Sequence, residues 1–166
     1  MQTNRINQLT AAALVILITY SSSGLESDKS QDFFYSNSGR STSRVEGEVR
    51  IHTLEDNVKF SQGTLQISGD NAVIQRAINS GIPPKVTVSG SPARYQQQLD
   101  EDGSIVEGES DSIHYYNEGE PVVEFIGSAT LRLPNDFMSC VSIKYFTESE
   151  YTETTGPCEG VSSQQP

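Results

Sequence analysis

Apolar and polar side chains alternate along most of the chain. From Val45 onward, short runs such as residues 49–51, 58–60 and 65–67 place a polar side chain between two apolar ones, and similar runs continue to Tyr145. Strands with one face on an apolar interior and the other in water show this period of two. Turn-forming residues separate the runs. The pattern predicts an all-β fold of about ten antiparallel strands, each of roughly 5–8 residues, in a sandwich, jelly roll or barrel.

One stretch, residues 70–81, departs from this alternation. Its apolar residues at 73, 74, 77 and 78 have helical spacing, and the stretch begins at Asp70 and ends at Gly81, which are residues that start and stop helices. We expect its first half to be a strand and the remainder a loop or one helical turn.

The amino terminus has the pattern of an export signal. A single charge, Arg5, precedes an apolar run at residues 11–20, which ends in the small residues 21–24. This order is typical of a secretory signal peptide, and the run is shorter than the roughly 20 residues of a spanning helix. We therefore predict that residues 1–24 are a signal peptide; the alternative is an uncleaved anchor.

The remaining chain divides by composition. Residues 25–44 are rich in Ser and contain further turn-forming residues such as Asp and Gly, so we expect a loose N-terminal segment there. The alternating runs define a β domain over residues 45–158, and residues 159–166 are expected to form a flexible tail.

The two cysteines, Cys140 and Cys158, lie at equal distances from Ser149. If a hairpin turns near Ser149, the two cysteines face each other, and opposed Cβ atoms lie within disulfide reach. An exported protein meets an oxidising compartment, so we predict a Cys140–Cys158 disulfide; the alternative is two unpaired thiols.

Composition excludes several functions. The chain has 11 basic and 22 acidic residues and a net charge of -11, which disfavours binding to nucleic acid or to an anionic membrane surface. Of the two histidines, neither His52 nor His114 accompanies a recognisable nucleophile, and no metal-ligand or phosphate-loop motif stands out. The sequence predicts no enzyme, no cofactor and no metal. The acidic residues 100–109 are expected to form a solvated hairpin tip rather than a calcium loop.

Four segments, in order, resemble the OstA-like family of lipopolysaccharide transport proteins. They are residues 57–70, with Gln62-Gly63-Thr64 between two strands; residues 91–97, with Pro92-Ala93 before Tyr95; residues 106–115; and residues 123–133. The resemblance covers roughly residues 45–147. It implies a curled, antiparallel, jelly-roll-like sheet with open ends and an apolar groove.

The resemblance also implies a function in the periplasm. Such proteins form part of a bridge that carries lipopolysaccharide from the inner to the outer membrane, with acyl chains in the groove. The implied partners are lipopolysaccharide with its lipid A, an LptC-like inner-membrane protein, an LptD-like outer-membrane protein and further copies joined head to tail. The alternative is an LptC-like structural adaptor of the same fold that carries no lipid.

We expect the lipid to contact inward-facing side chains. Because the chain is acidic, its affinity should come from the acyl chains rather than from the phosphates. Residues 45–51 and 141–145 are expected at the two edges of the sheet. The predicted lipid-binding residues are Val58, Phe60, Leu65, Ile67, Val88, Tyr95, Ile113, Tyr115, Phe125 and Leu131.

Overall fold

The computed structural model describes residues 28, 31–99, 103–117 and 119–163. The predicted signal peptide and residues 164–166 of the predicted tail lie outside this part. The described residues form nine strands: β1 Phe34–Ser36, β2 Ser41–Glu46, β3 Val49–Gln62, β4 Leu65–Ala77, β5 Lys85–Gln98, β6 Ile105–Asn117, β7 Pro121–Arg132, β8 Asp136–Phe146 and β9 Tyr151–Ser162.

All nine strands belong to one antiparallel sheet. From β3 to β9 each strand pairs with its neighbours in sequence, and β1 and β2 both pair with the outer edge of β3. The sheet does not close, because β1 and β2 form one free edge and β9 forms the other. The predicted all-β antiparallel fold with open ends is confirmed.

The strands of the main sheet are longer than predicted, at 11 to 14 residues. The runs at 49–51 and 58–60 belong to a single strand, β3, whose register shifts between Glu55 and Val58, where Asp56 and Asn57 have φ of 65° and 50°. Such a bulge interrupts the alternation of apolar and polar residues, so the sequence pattern of one long strand looks like that of two short strands. In the same way, β4 continues to Ala77, slightly beyond the first half of residues 70–81, and residues 78–81 form a turn and a loop as expected.

Every pair from β3–β4 to β8–β9 has a register shift near the middle of the strands. This line of bulges divides the sheet into two halves. Wall A contains residues 49–54, 72–77, 86–89, 112–117, 122–126, 142–146 and 151–155. Wall B contains residues 58–62, 65–68, 93–98, 105–109, 129–132, 136–140 and 158–162.

The two walls fold onto each other along the line of bulges. Tyr95 pairs with Gly108 of β6, whereas Phe125 pairs with Ile113 of the same strand. In a flat sheet these two positions differ by about 16 Å along the strand direction, yet the Tyr95 and Phe125 ring centroids lie 5.6 Å apart. A Cβ atom at Gly108 would overlap the Phe125 ring. Position 108 therefore needs glycine because the opposite wall lies against its backbone.

Three boundary predictions were wrong in whole or in part. β1 and part of β2 lie in the segment expected to be loose, and β9 extends to Ser162 in the segment expected to be a flexible tail. The side chains of β1 and β2 are exposed, so these strands form through backbone pairing with β3 and leave no alternating pattern to detect. Of the residues expected at the edges, 45 and 46 lie in the edge strand β2. Residues 49–51 and 141–145 lie in β3 and β8, each covered by a further strand, so the edges are β1/β2 and β9.

Candidate lipid-binding site

The structure brings all ten predicted lipid-binding residues to the inward surface between the two walls. Tyr115 is half-buried and packs against the cluster. The other nine are at most 3% exposed: Val58, Phe60, Leu65, Ile67, Val88, Tyr95, Ile113, Phe125 and Leu131. The predicted apolar interior is therefore present, and both walls contribute to it.

This interior is filled by its own side chains. The Tyr95 ring of wall B meets the Phe125 ring of wall A edge to face, and Ile113 and Leu131 are fully buried. Apolar walls in water collapse onto each other because this removes apolar surface from the solvent. The two walls therefore pack directly against each other in this structure.

Polar groups gather where the free ends of the walls meet, which we call the mouth. The Asp28 carboxylate accepts hydrogen bonds from the Thr64 backbone N–H at 2.8 Å, the Thr64 hydroxyl at 2.7 Å and the Gln97 amide at 2.9 Å. The Tyr95 hydroxyl donates to Gln97 Oε1 at 2.6 Å. Asp28 is 6% exposed, and all three of these donors to it are neutral.

The contacts of Asp28 also account for the residue types at Gly63 and Thr64 in the Gln62-Gly63-Thr64 segment. A Cβ atom at Gly63 would overlap the Asp28 carboxylate, and Gly63 has a φ of +57°. Asp28 was not among the predicted site residues because it lies 36 residues before Thr64 in a segment expected to be loose. Thr64, directly after a turn glycine, was the only available signal.

Three tyrosines approach one another at the mouth. Burial raises the pKa of Tyr95 well above its ordinary value, and the nearby Tyr145, Tyr115 and Asp28 raise it further. Burial likewise raises the pKa of Tyr145, with a further contribution from Glu150. The Tyr145 hydroxyl is buried and has no hydrogen-bond partner within the described residues. A buried, unsatisfied hydroxyl is a cost to the fold.

A cavity of ≈ 330 Å³ opens at the β1/β2 end of the interior, and we call it the edge cavity. Both walls line the cavity. β1 extends wall B, since it pairs with β3 beside Phe60, and β3 and β4 contribute residues of wall A. The Phe33 ring stacks on Phe60 with centroids 5.5 Å apart. The cavity is lined by Phe33, Tyr35, Arg50, His52, Ile74 and Arg76.

A larger depression of ≈ 570 Å³ lies on the outward surface and differs in chemistry. Its lining alternates in charge, since Glu107 pairs in register with Arg132, and Arg94 donates to Glu109 at 2.9 Å. We call it the outer depression. Its polar lining separates it from the apolar interior and from the predicted lipid contacts.

The structure joins Cys140 to Cys158, the pairing predicted from the sequence. The two residues face each other in the β8–β9 register, and their Cα atoms lie 4.2 Å apart. The disulfide therefore ties the free edge strand β9 to its neighbour β8.

Two features relevant to other functions are absent from the described part of the chain. Residues 28, 31–99, 103–117 and 119–163 contain no group of three or more His, Cys, Asp or Glu that could hold a metal ion. In the same part of the chain, no helix has the length and apolar character to cross a membrane.

The described residues define a class of all-β proteins in which an open antiparallel sheet folds around an apolar interior and carries polar groups at its mouth. Residues 41–151 match the sequence model of the LptA/LptD N-terminal domain family of LPS transport proteins. The chain belongs to this family, which confirms the resemblance drawn from residues 57–133. The family is one of transport proteins rather than of enzymes.

Two relatives support this membership. The lipopolysaccharide export system protein LptA of Haemophilus influenzae is 26% identical over 151 residues, which span 90% of this chain and 85% of that protein. The crystal structure of LptH, the LptA-homologous periplasmic component of the lipopolysaccharide transport device of Pseudomonas aeruginosa, has the same fold. It superposes with a TM-score of 0.68 at 19% identity, over 84% of this chain and 99% of that one.

Proposed function

We propose that this protein binds lipopolysaccharide in the periplasm and forms part of a bridge from the inner to the outer membrane. The observation that carries the proposal is the apolar interior, which gathers the ten predicted contact residues between two walls that are not closed into a barrel. The export and transport roles named for the Haemophilus and Pseudomonas relatives support it.

The acyl chains enter between the walls and the sugars stay in water. Each buried methylene contributes about 0.8 kcal/mol, so the burial of several acyl chains offsets the free-energy cost of separating Tyr95 from Phe125. Since this term is non-directional, a chain can slide along the interior without breaking specific bonds. Transport needs this property, because a carrier that holds its cargo by many hydrogen bonds releases it slowly.

Export and assembly complete the proposal. The predicted signal peptide, residues 1–24, directs the chain to the periplasm. The free edges β1/β2 and β9 carry backbone groups that can pair with another strand. We propose that an LptC-like inner-membrane protein, an LptD-like outer-membrane protein or a second copy of this chain pairs with them head to tail.

A second function is favoured by one observation. The interior is packed by its own side chains, which is what a structural adaptor of the same fold, without lipid, would show. The two functions differ in one measurable property, because only the carrier binds lipid.

Mixing the purified protein with lipopolysaccharide separates the two functions. The carrier forms a complex that survives high salt, since apolar contacts are not screened, and a long-chain fatty acid competes for it. If no complex forms at low or high salt, the carrier function is wrong and the adaptor remains.

A further inference from the structure

The edge cavity has a basic wall. Arg50 faces Arg76, and His52 faces Ile74, as register partners on β3 and β4. Register partners project to the same side of a sheet, and Ile74 belongs to the buried core. The two guanidinium groups and the imidazole therefore lie on the inward surface of wall A, opposite the aromatic residues Phe33 and Tyr35.

The charge of this cavity is opposite to that of the chain. The protein has twice as many acidic as basic residues, yet none of the six residues that line the edge cavity is acidic. In the outer depression, by contrast, Arg94 is neutralised by Glu109. Among the described residues, neither Arg50 nor Arg76 makes an ion pair.

We propose that the edge cavity binds the phosphate groups of lipopolysaccharide while the acyl chains continue into the apolar interior behind it. The planar guanidinium group donates paired hydrogen bonds that match the oxygens of a phosphate. Two such groups on neighbouring strands suit a phosphorylated headgroup, and the aromatic side chains opposite them suit the first methylenes of its acyl chains. This inference rests on the proposed function.

This site changes the expectation that the acidic chain repels lipid phosphates. The net charge of -11 suggested that lipid phosphates would be repelled. Exposed charges farther away than about 8 Å are largely screened at physiological salt, so the local pair of arginines decides the interaction. The phosphate therefore orients the lipid at one end of the interior, although the acyl chains supply most of the affinity.

The test compares two charge-altering variants on two forms of the lipid. In the double variant Arg50→Gln/Arg76→Gln, the affinity for phosphorylated lipopolysaccharide should fall at least about tenfold. Its affinity for the same lipopolysaccharide after dephosphorylation should equal that of the unaltered protein. Arg44→Gln is the control. Arg44 lies on the same edge but pairs with Ile51, which lies between Arg50 and His52 on β3, so Arg44 projects to the opposite side of the sheet from those two residues.

Each outcome has one meaning. If the unaltered protein binds neither form of the lipid, the proposed function is wrong. If it binds both, and the double variant either keeps its affinity for the phosphorylated form or loses affinity for both forms equally, the phosphate site is wrong. Inorganic phosphate serves as a further probe: it should compete weakly, and displacement of the lipid by an equimolar amount would assign the cavity to a free anion and overturn the inference.

Discussion

The two free edges of the sheet are held in different ways. At the β1/β2 edge, Phe33 and Tyr35 both pack against the core residue Phe60, and Asp28 adds its buried hydrogen bonds. At the β9 edge, eleven of the twelve side chains are exposed. The strand is held by backbone pairing, by the Cys140–Cys158 disulfide and by the contact of the Tyr151 ring with Phe146. The first edge is therefore joined to the interior by Phe33 and Asp28, which precede β1, although the side chains of β1 and β2 are exposed like those of β9.

This difference assigns different roles to the edges. A change at the β1/β2 edge alters the edge cavity and the access of lipid to the interior. A change at the β9 edge alters only a surface available for pairing.

The largest effect is expected where the two walls meet. Phe125→Ala removes a fully buried ring and should lower the free energy of unfolding by about 3–5 kcal/mol. Val161→Ala on β9, where the side chain is 69% exposed, is the control and should change it by less than about 0.5 kcal/mol. Urea unfolding measures both. Comparable losses in the two variants would show that β9 belongs to the core.

At the β1/β2 edge, Asp28→Ala leaves the donors of Thr64 and Gln97 without their acceptor. The free energy of unfolding should fall by about 1–3 kcal/mol, again by urea unfolding. Asp32→Ala, at a neighbouring exposed residue, is the control. If the Asp28→Ala protein is as stable as the parent, the hydrogen bonds of this carboxylate do not stabilise the edge.

Removal of the disulfide tests the β9 edge. In the double variant Cys140→Ser/Cys158→Ser, β9 should detach before the rest unfolds, because it contributes almost no buried side chain. Hydrogen exchange should quicken in residues 151–162 and stay slow in β5, β6 and β7. Chain entropy alone predicts a loss of about 3 kcal/mol for a closed loop of this size, and the global free energy of unfolding should change by less than this. Uniformly faster exchange across all strands would refute the contrast.

Two of the three mouth tyrosines, Tyr145 and Tyr95, should respond oppositely to loss of their hydroxyl groups. Tyr145→Phe removes a hydroxyl that has no partner within the described residues, so the stability should be unchanged or slightly higher. Tyr95→Phe leaves Gln97 Oε1 without its donor and should cost about 1 kcal/mol. Thermal unfolding compares them. Equal losses would show that the Tyr145 hydroxyl is satisfied in solution.

The smallest effect concerns an exposed ion pair at the β1/β2 edge, Arg40–Glu55, with Nη2 and Oε1 2.7 Å apart. Hydrogen bonds from Arg40 hold the pKa of Glu55 below its ordinary value of 4.5. A lowered carboxyl pKa stabilises the fold above pH 4.5, and this contribution is lost as the pH falls through the lowered pKa. Glu55→Gln should reduce this small pH dependence of the free energy of unfolding, which is measured by unfolding curves at several pH values. An unchanged pH dependence would show that the pair contributes nothing in solution.

Much of the fold was predictable from the sequence. Alternation alone identified the strands and the inward position of residues such as Ile113 and Leu131, because a period of two fixes which side chains share a surface. The Cys140–Cys158 pairing followed from the symmetry of one hairpin. The number and length of the strands did not follow, because bulges such as Asp56-Asn57 break the alternation within a single strand.

The features that were not predicted depend on contacts between residues distant in sequence. Gly108 is required by Phe125 of the opposite wall, and Asp28 is held by Thr64 and Gln97. The edge cavity needs Arg50 and Arg76 on neighbouring strands, and the sequence shows them only as isolated charges on two separate runs. Local patterns cannot report such pairings, since they exist only after the sheet has folded along its line of bulges.

Cross-linking can locate the bound lipid relative to the two walls. A photoreactive phenylalanine analogue replaces either Tyr115, which packs against the interior, or Tyr116, the next residue, which lies on the opposite side of β6 beside Lys85. Illumination with bound lipopolysaccharide should cross-link the lipid to position 115 and not to position 116. Equal cross-linking at both positions, or cross-linking at position 116 alone, would contradict the claim that acyl chains lie between the two walls.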